Sequence, residues 1–117
     1  MSTKLTVKQF FEDLKTNEDF KYFVHFTNEF KKNVKLSFKR NLDLNLLKNV
    51  ILALAIGGKI EEKFRPHKLN NYYTLQENQA VMECHIQPEW LLVWIQNDAK
   101  LTLLLTDTGT HSDLFGN

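Results

Sequence analysis

Cysteine, proline and glycine are scarce in this 117-residue chain, which contains one, two and four of them. The single cysteine, Cys84, excludes an internal disulfide and a multi-cysteine zinc site, and it is typical of a reducing compartment. No apolar run reaches the roughly 18 residues that a transmembrane helix requires. The N-terminus lacks the apolar stretch and the cleavage site of a signal peptide. We therefore expect a cytoplasmic protein without a membrane-spanning segment.

The charges are unevenly distributed, although the formal net charge is only +1. Residues 30–42 contain five basic side chains and no acidic one, whereas acidic residues outnumber basic ones from Arg65 onward. Any phosphate-binding surface should therefore involve the basic segment. Its members are Lys31, Lys32, Lys35, Lys39 and Arg40. The plain alternative for such a run is a solvated helix face.

The apolar content is sufficient for one folded domain. Hydrophobic residues make up 43% of the chain and nine of them are phenylalanine, which is typical of a packed globule. A short amphipathic helix is predicted over residues 5–15, where Thr6 and Gln9 have the spacing of a capping box. Its apolar face must be covered by another part of the protein. That face consists of Val7, Phe10, Phe11 and Leu14.

Two longer helices are predicted next. Thr27 is suited to cap a helix over residues 28–40, in which an apolar stripe and a lysine face both repeat every four residues. Asp43 is suited to cap a helix over residues 44–56, and two glycines then end it.

Strands are predicted from the apolar patterns in the rest of the chain. They cover residues 21–26, 81–87, 90–95 and 101–106. Residues 59–68 are predicted to be a charged connection, and residues 107–117 a loop. The order predicts an α+β fold, with two helices packed on a small antiparallel β-sheet and an extra helix at the N-terminus.

A polar patch is predicted on the strand over residues 81–87. Glu83 and His85 are two residues apart, so their side chains share one face of the strand, with Gln87 continuing it. Cys84 falls on the opposite, apolar face and is expected to be buried. Glu89 and Trp90 begin the next strand and border the same patch, although a core position is the plain alternative for Trp90.

The C-terminal tail carries further groups that suit acid–base chemistry. Gly109 would let the tail turn sharply and bring His111 and Phe115 over the patch. Such a set suits metal-free cleavage of RNA, in which one group takes the 2′-OH proton, another protonates the leaving 5′-oxygen and an aromatic ring stacks a base. The plain alternative for each histidine is a hydrogen bond at a sheet edge or ordinary surface exposure. A three-histidine metal site is disfavoured, because the spacings match no metal motif.

These residues resemble the motifs of the YafQ-like toxins of the RelE/ParE superfamily. The resemblance runs from about Val24 to Phe115 and is most specific in ECHIQPEW (83–90) and TGTHSDLF (108–115). It implies a small α+β endoribonuclease that cuts mRNA on the translating ribosome without a metal or other cofactor. It also implies silencing by a cognate DinJ-like antitoxin, with operator DNA bound only through the antitoxin complex. Residues 1–20 fall outside the pattern, so they are expected to extend a toxin domain over residues 21–117.

The resemblance assigns expected roles by position. His85 and His111 are the expected acid–base groups, and His67 is expected to assist at the phosphate. Glu83 and Glu89 would tune or orient them. The expected RNA contacts are Phe115 and Trp90 for packing, and Lys31, Lys32, Lys35, Lys39 and Arg40 for ribosomal RNA.

The sequence departs from the family pattern at two cationic positions. Met82 and Asp107 stand where family members commonly carry arginine, and a cation beside the phosphate is one of the larger catalytic contributions. The segment after His67, including Tyr72 and Tyr73, is also a few residues longer than usual. A second hypothesis is therefore a weakened toxin-fold protein that acts through antitoxin binding and co-repression. The gyrase-directed branch of the superfamily is a third, against which the retained histidines argue.

Overall fold

The computed structural model describes residues 4–69 and 79–116. The helices are α1 (Val7–Asp13), α2 (Asn28–Lys39), α3 (Leu44–Gly57) and α4 (His111–Phe115). The strands are β1 (Phe23–Phe26), β2 (His67–Lys68), β3 (Gln79–Gln87), β4 (Trp90–Asn97) and β5 (Thr102–Gly109). A 3-10 turn at Glu62–Phe64 precedes β2. The long segment with Tyr72 and Tyr73 lies outside the described residues.

The five strands form one sheet in the order β1-β5-β4-β3-β2. The pairs from β2 to β5 are antiparallel, whereas β1 runs parallel to β5. The predicted α+β class is confirmed, but the sheet is mixed rather than wholly antiparallel. The reason is that the chain leaves β1 into α2 and α3 and returns at the other edge, so no hairpin joins β1 to β5.

Side-chain caps fix the ends of the two long helices. Thr27 Oγ1 accepts the backbone N–H of Phe30 at 3.0 Å, and Asp43 Oδ1 accepts that of Asn45 at 2.9 Å. α3 ends at Gly58, whose φ of 76° favours glycine. The predicted caps are therefore confirmed.

The first helix is held by half of the predicted capping box. Thr6 Oγ1 accepts the backbone N–H of Gln9 at 3.1 Å. The Gln9 side chain, however, donates to Asp13 Oδ1 at 2.6 Å, one turn further on. Gln9 thus braces the end of α1 instead of returning to its beginning.

α1 packs into the same core as the rest of the chain. Phe10 and Leu14 are fully buried. The Phe11 ring lies edge-to-face on Phe26, with centroids 5.0 Å apart. The apolar face of α1 is therefore covered by α2, α3 and β1.

The helices cover one face of the sheet. The buried sheet residues in this core are Val24, Cys84, Ile86, Trp90, Leu92, Trp94, Leu103 and Leu105. The predicted burial of Cys84 is confirmed, and this burial raises the pKa of its thiol to about 12. The thiol is consequently an unreactive core group. The opposite side of the sheet, which bears Glu83, His85, Leu91 and Val93, is called the outer face below.

Two stretches predicted to be irregular contain regular structure, so those predictions were wrong. Residues 107–109 continue β5, and α4 follows because Thr110 and Asp113 form a reciprocal capping box. The charged connection contains the 3-10 turn and β2, which pairs with the edge of β3.

Candidate functional site: a histidine–carboxylate cluster on the outer face

Strand β2 brings His67 directly opposite Glu83 on β3. His67 Nε2 lies 3.2 Å from Glu83 Oε1, and the Glu83 side chain is only 9% exposed. Within the described residues, nothing donates a hydrogen bond to the buried Oε2 of Glu83. A buried carboxylate with an unpartnered oxygen costs folding free energy. Such a group is often retained because it has a functional role.

His67 has an acceptor at each ring nitrogen. Nδ1 lies 2.9 Å from the carbonyl oxygen of Arg65, and Nε2 faces the Glu83 carboxylate. A neutral imidazole has only one N–H, so it satisfies one acceptor and turns a lone pair towards the other. The doubly protonated ring satisfies both. An N–H on His67 Nε2 would therefore donate to the Glu83 carboxylate.

His85 lies two residues after Glu83 on the same face of the strand. Unlike His67, it has an acceptor at only one ring nitrogen among the described residues. Its Nδ1 lies 3.3 Å from the carbonyl oxygen of Pro88, to which an Nδ1–H donates. This tautomer leaves the lone pair on Nε2. A bulge between His85 and Gln87 interrupts the alternation, so the predicted continuation of the polar face to Gln87 is broken.

A groove of about 510 Å³ runs beside His85. It is lined by Lys63, Phe64 and Arg65 from the 3-10 turn and its end, and by His85, Ile86, Gln87 and Pro88 from the end of β3. Two cations therefore border the same space as the histidine.

Helix α4 presents the two C-terminal candidates. The rings of His111 and Phe115 lie 4.8 Å apart, one helical turn from each other. Gly109 precedes them with a φ of 151°, and a Cβ there would lie 2.8 Å from Asp113 Oδ2. The sharp approach of α4 to β5 thus requires glycine at this position.

Arg40 anchors α4 to α2. Its guanidinium donates to both Asp113 oxygens, at 2.6 and 3.3 Å. These bonds, with those from Thr110, lower the pKa of the Asp113 carboxyl to about 2. Arg40 was predicted to contact RNA with the lysines of α2, but this ion pair occupies it.

The strand register relates Glu83 to the end of β5, from which α4 follows. Glu83 pairs with Val93, and Val93 pairs with Asp107, so Glu83 and Asp107 are two strand spacings, about 10 Å, apart. Phe115 lines a pocket of about 280 Å³ together with Leu69, Val93 and Asp107. Phe115 therefore lies beside Val93, which is the cross-strand partner of Glu83.

Asp107 is turned towards α2. Its Oδ1 accepts from Asn33 Nδ2 at 2.5 Å and from the Thr108 backbone N–H at 2.9 Å. Burial raises its pKa above the usual range, and the nearby Glu29 and Asp113 add to the effect. Met82, at the other position without arginine, is half-buried against the core.

Trp90 is a core residue, so its prediction as an RNA-stacking platform was wrong. The side chain is 2% exposed, and its Nε1–H donates to Thr108 Oγ1 at 3.0 Å. The ring fills the helix-covered side of the sheet, which it shares with Leu92 and Trp94 through the alternation of β4. Glu89 is exposed at the turn between β3 and β4.

The lysines of α2 form an exposed cationic face. None of the four has an ion pair with a carboxylate in the described parts of the chain. They are Lys31, Lys32, Lys35 and Lys39. The opposite side of the helix buries Phe30 and Val34. This face is hereafter called the lysine face.

Arg65 was missed as a site residue by the sequence reasoning. Its carbonyl fixes His67 and its side chain lines the groove beside His85. The available signal was its position in RPHK, two residues before a candidate histidine. A two-residue strand beginning at His67 is too short for a pattern to reveal it.

In the ranges 4–69 and 79–116, no three histidine, cysteine or carboxylate groups come together as a metal site. No helix in these ranges is both long and apolar enough to cross a bilayer.

The chain is similar in sequence and in fold to known toxins. The chain is 30% identical over 95 residues, 80% of its length and 95% of the relative's, to the mRNA interferase toxin YafQ of Escherichia coli strain B. A YafQ chain in the Escherichia coli DinJ–YafQ complex superposes with a TM-score of 0.70 at 28% identity, covering 81% of this chain and 99% of that one. The archaeal RelE–RelB complex from Pyrococcus horikoshii shares the fold, with a TM-score of 0.61 at 12% identity over 77% of this chain and 94% of that one. Residues 22–116 match the family of YafQ, bacterial toxins of type II toxin–antitoxin systems. The chain therefore belongs to the YafQ family of type II toxins.

Proposed function

We propose that this toxin is an endoribonuclease that cuts mRNA on the translating ribosome, without a metal or other cofactor. The observation that carries the proposal is the cluster of His67, Glu83 and His85 on the outer face. It places an imidazole paired with a carboxylate beside a second imidazole, and these are the kinds of group that general acid–base cleavage of RNA needs. The relative from Escherichia coli is an mRNA interferase toxin, which supports the proposal.

His85 is the proposed general base. Its Nδ1 is committed to the Pro88 carbonyl, so Nε2 is free to take the proton of the ribose 2′-OH. The 2′-oxygen then attacks phosphorus, and the bond from phosphorus to the 5′-oxygen breaks. The products are a 2′,3′-cyclic phosphate and a 5′-hydroxyl end.

His67 is the proposed source of the proton for the leaving 5′-oxygen, with the Glu83 carboxylate orienting its ring. This assignment differs from the sequence expectation, which paired His85 with His111. His111 and Phe115 instead form the far side of the surface, where Phe115 stacks a base and His111 contacts the adjoining phosphate. Glu89, at the nearby turn, is proposed to orient the substrate strand.

The lysine face is the proposed contact with ribosomal RNA. Four exposed lysines on one helix match a phosphate backbone, and binding through them weakens with salt. Ribosomes are in the cytoplasm, which is the proposed compartment. The proposed partner is a DinJ-like antitoxin, as in the Escherichia coli complex, with operator DNA reached only through that complex.

The proposal is tested by inducing the protein in bacterial cells and mapping mRNA 5′-ends beside a His111→Ala control. New cuts within translated regions that weaken in the control are expected. Cuts in untranslated RNA at equal frequency would contradict ribosome dependence. A folded, soluble protein that causes neither cuts nor growth arrest would contradict the nuclease assignment.

The second candidate is a weakened toxin-fold protein that acts through antitoxin binding and co-repression. Met82 and Asp107 favour it, since neither position supplies the cation that the family commonly has there. It predicts tight antitoxin binding without growth arrest, so the induction experiment separates the two candidates.

A further inference from the structure

The cluster of His67, Glu83 and His85 has a charge problem if RNA is its substrate. A phosphate would approach the Glu83 carboxylate, whose Oε2 has no described donor. Met82 is neutral, and Asp107 is an acid held by Asn33. A transition state with extra negative charge on phosphorus needs a cation from another part of the chain.

The 3-10 turn supplies cations to the groove beside His85. Lys63 and Arg65 line the same space as His85 and Pro88. Lys63 is within 3.7 Å of Glu61, with which it forms an exposed ion pair. No ion pair joins the Arg65 guanidinium to a carboxylate among the described residues. Among the described residues, Arg65 is therefore the cation in this groove without a carboxylate partner.

The backbone of Arg65 is fixed from both sides. Its N–H donates to the Glu62 carbonyl at 2.9 Å, and its own carbonyl accepts from His67 Nδ1, also at 2.9 Å. Its φ of 52° is left-handed, which arginine adopts rarely, and Pro66 restricts the next position. The backbone of Arg65 thus orients the ring of His67, and the same residue lines the groove beside His85.

We propose that Arg65 is the phosphate-binding cation of the site. Its guanidinium would hold the scissile phosphate through paired N–H donors while the histidines transfer protons, in place of the arginines missing at positions 82 and 107. This inference rests on the proposed nuclease function, because it names the group that binds the phosphate of the same substrate.

The variants Arg65→Ala and Arg65→Lys test the proposal with Lys59→Ala as the matched control. Lys59 is an exposed cation on the same connection and does not line this groove. Alanine and lysine meet the same left-handed φ as arginine, so the backbone cost is unchanged between variants. Thermal unfolding confirms that each variant is folded.

In a ribosome-dependent cleavage assay, Arg65→Ala is expected to lower the rate about 10²–10³-fold. Arg65→Lys is expected to recover only part of it, because an ammonium ion lacks the planar pair of donors. Millimolar guanidinium added to Arg65→Ala should restore part of the rate, which a purely structural role would not permit. Wild-type rates in Arg65→Ala would overturn the proposal.

Binding of a non-cleavable, 2′-O-methylated single-stranded RNA tests the phosphate-binding role of Arg65 separately from the nuclease function. If the wild type binds this RNA but cleaves no mRNA, the nuclease function fails while Arg65 is still judged by binding. Weaker binding by Arg65→Ala than by Lys59→Ala is then the expected result. Equal binding by the two variants, or no binding by the wild type, would overturn the phosphate-binding role.

Discussion

Single residues decide whether the outer face carries chemistry, and Glu83 is the sharpest case. The variant Glu83→Gln keeps the shape of the side chain but removes the negative charge beside the ring of His67. We expect mRNA cleavage to fall about 10²-fold, the usual scale for one proton-transfer group. The exposed Glu12→Gln should cleave at the wild-type rate. Cleavage rates are measured on folded protein. A wild-type rate for Glu83→Gln would contradict the role of the His67–Glu83 pair.

Asp107 makes a prediction about stability and pH. Its folded pKa is raised, mainly by burial, so ionisation costs more in the folded than in the unfolded state. That cost is absent below the unfolded pKa, where both states are protonated, and is complete above the folded pKa. Asp107→Asn keeps an acceptor for Asn33 and Thr108, so it should unfold at the wild-type temperature near pH 3 and above it at pH 7. A gain at pH 3 that vanishes at pH 7 would contradict the assignment.

The sequence identifies some site residues better than others. The two-residue period of β3 was enough to place Glu83 and His85 on one face, opposite Cys84. It did not place Trp90, because a nearly continuous apolar run carries no alternation and the bulge before it shifts the register. The contact of His67 with Glu83 depends on a long-range strand pairing, which no local pattern contains.

At the scale of elements, α4 positions His111 and Phe115 through one ion pair. Asp113→Asn should cost about 1 kcal/mol of stability, the scale of a partly exposed pair and a cap. The lowered pKa of Asp113 means that the wild type loses this contribution as the pH falls from about 4 towards 2. Cleavage should fall about 10-fold, as expected when catalytic groups lose their fixed geometry.

Urea unfolding at pH 7 and pH 2 measures the loss, with the exposed Ser112→Ala as control. The gap between the wild type and Asp113→Asn should be present at pH 7 and small at pH 2. An equal gap at both values would show that ionisation of Asp113 does not stabilise α4.

Helix α1 precedes residues 22–116, which match the YafQ family, yet it packs in the core of the domain. Phe10→Ala should lower the free energy of unfolding by about 3–5 kcal/mol, as for other large core aromatics. The exposed Lys8→Ala should change it by less than about 0.5 kcal/mol. Denaturant unfolding measures both, and a loss below about 1 kcal/mol for Phe10→Ala would make α1 a loosely attached extension.

Helices were more predictable than the tail for a physical reason. Thr27, Asp43 and the glycine after α3 act within one turn, so the sequence alone locates them. α4 has only five residues, and Thr110 with Asp113 is its one strong local signal. That signal was present in the sequence but was overlooked.

At the scale of the whole molecule, the sheet brings distant motifs onto one face. The first C-terminal motif runs from β3 into β4, and the second runs from the end of β5 into α4, so the hairpins that the sequence predicts link the strands that carry them. The parallel pairing of β1 with β5 joins residues about 80 positions apart, from Phe23 to Thr102 onward. Such pairing is set by the packing of the complete core and not by local preference.

The cluster around His85 is proposed to cleave mRNA on the ribosome. Its most direct test is a reconstituted assay with purified ribosomes on a defined mRNA, comparing the wild type with a folded His85→Ala variant. We predict cuts by the wild type only where a ribosome is bound, and a loss of at least about 10²-fold in the variant. Cleavage by His85→Ala at the wild-type rate would contradict the account.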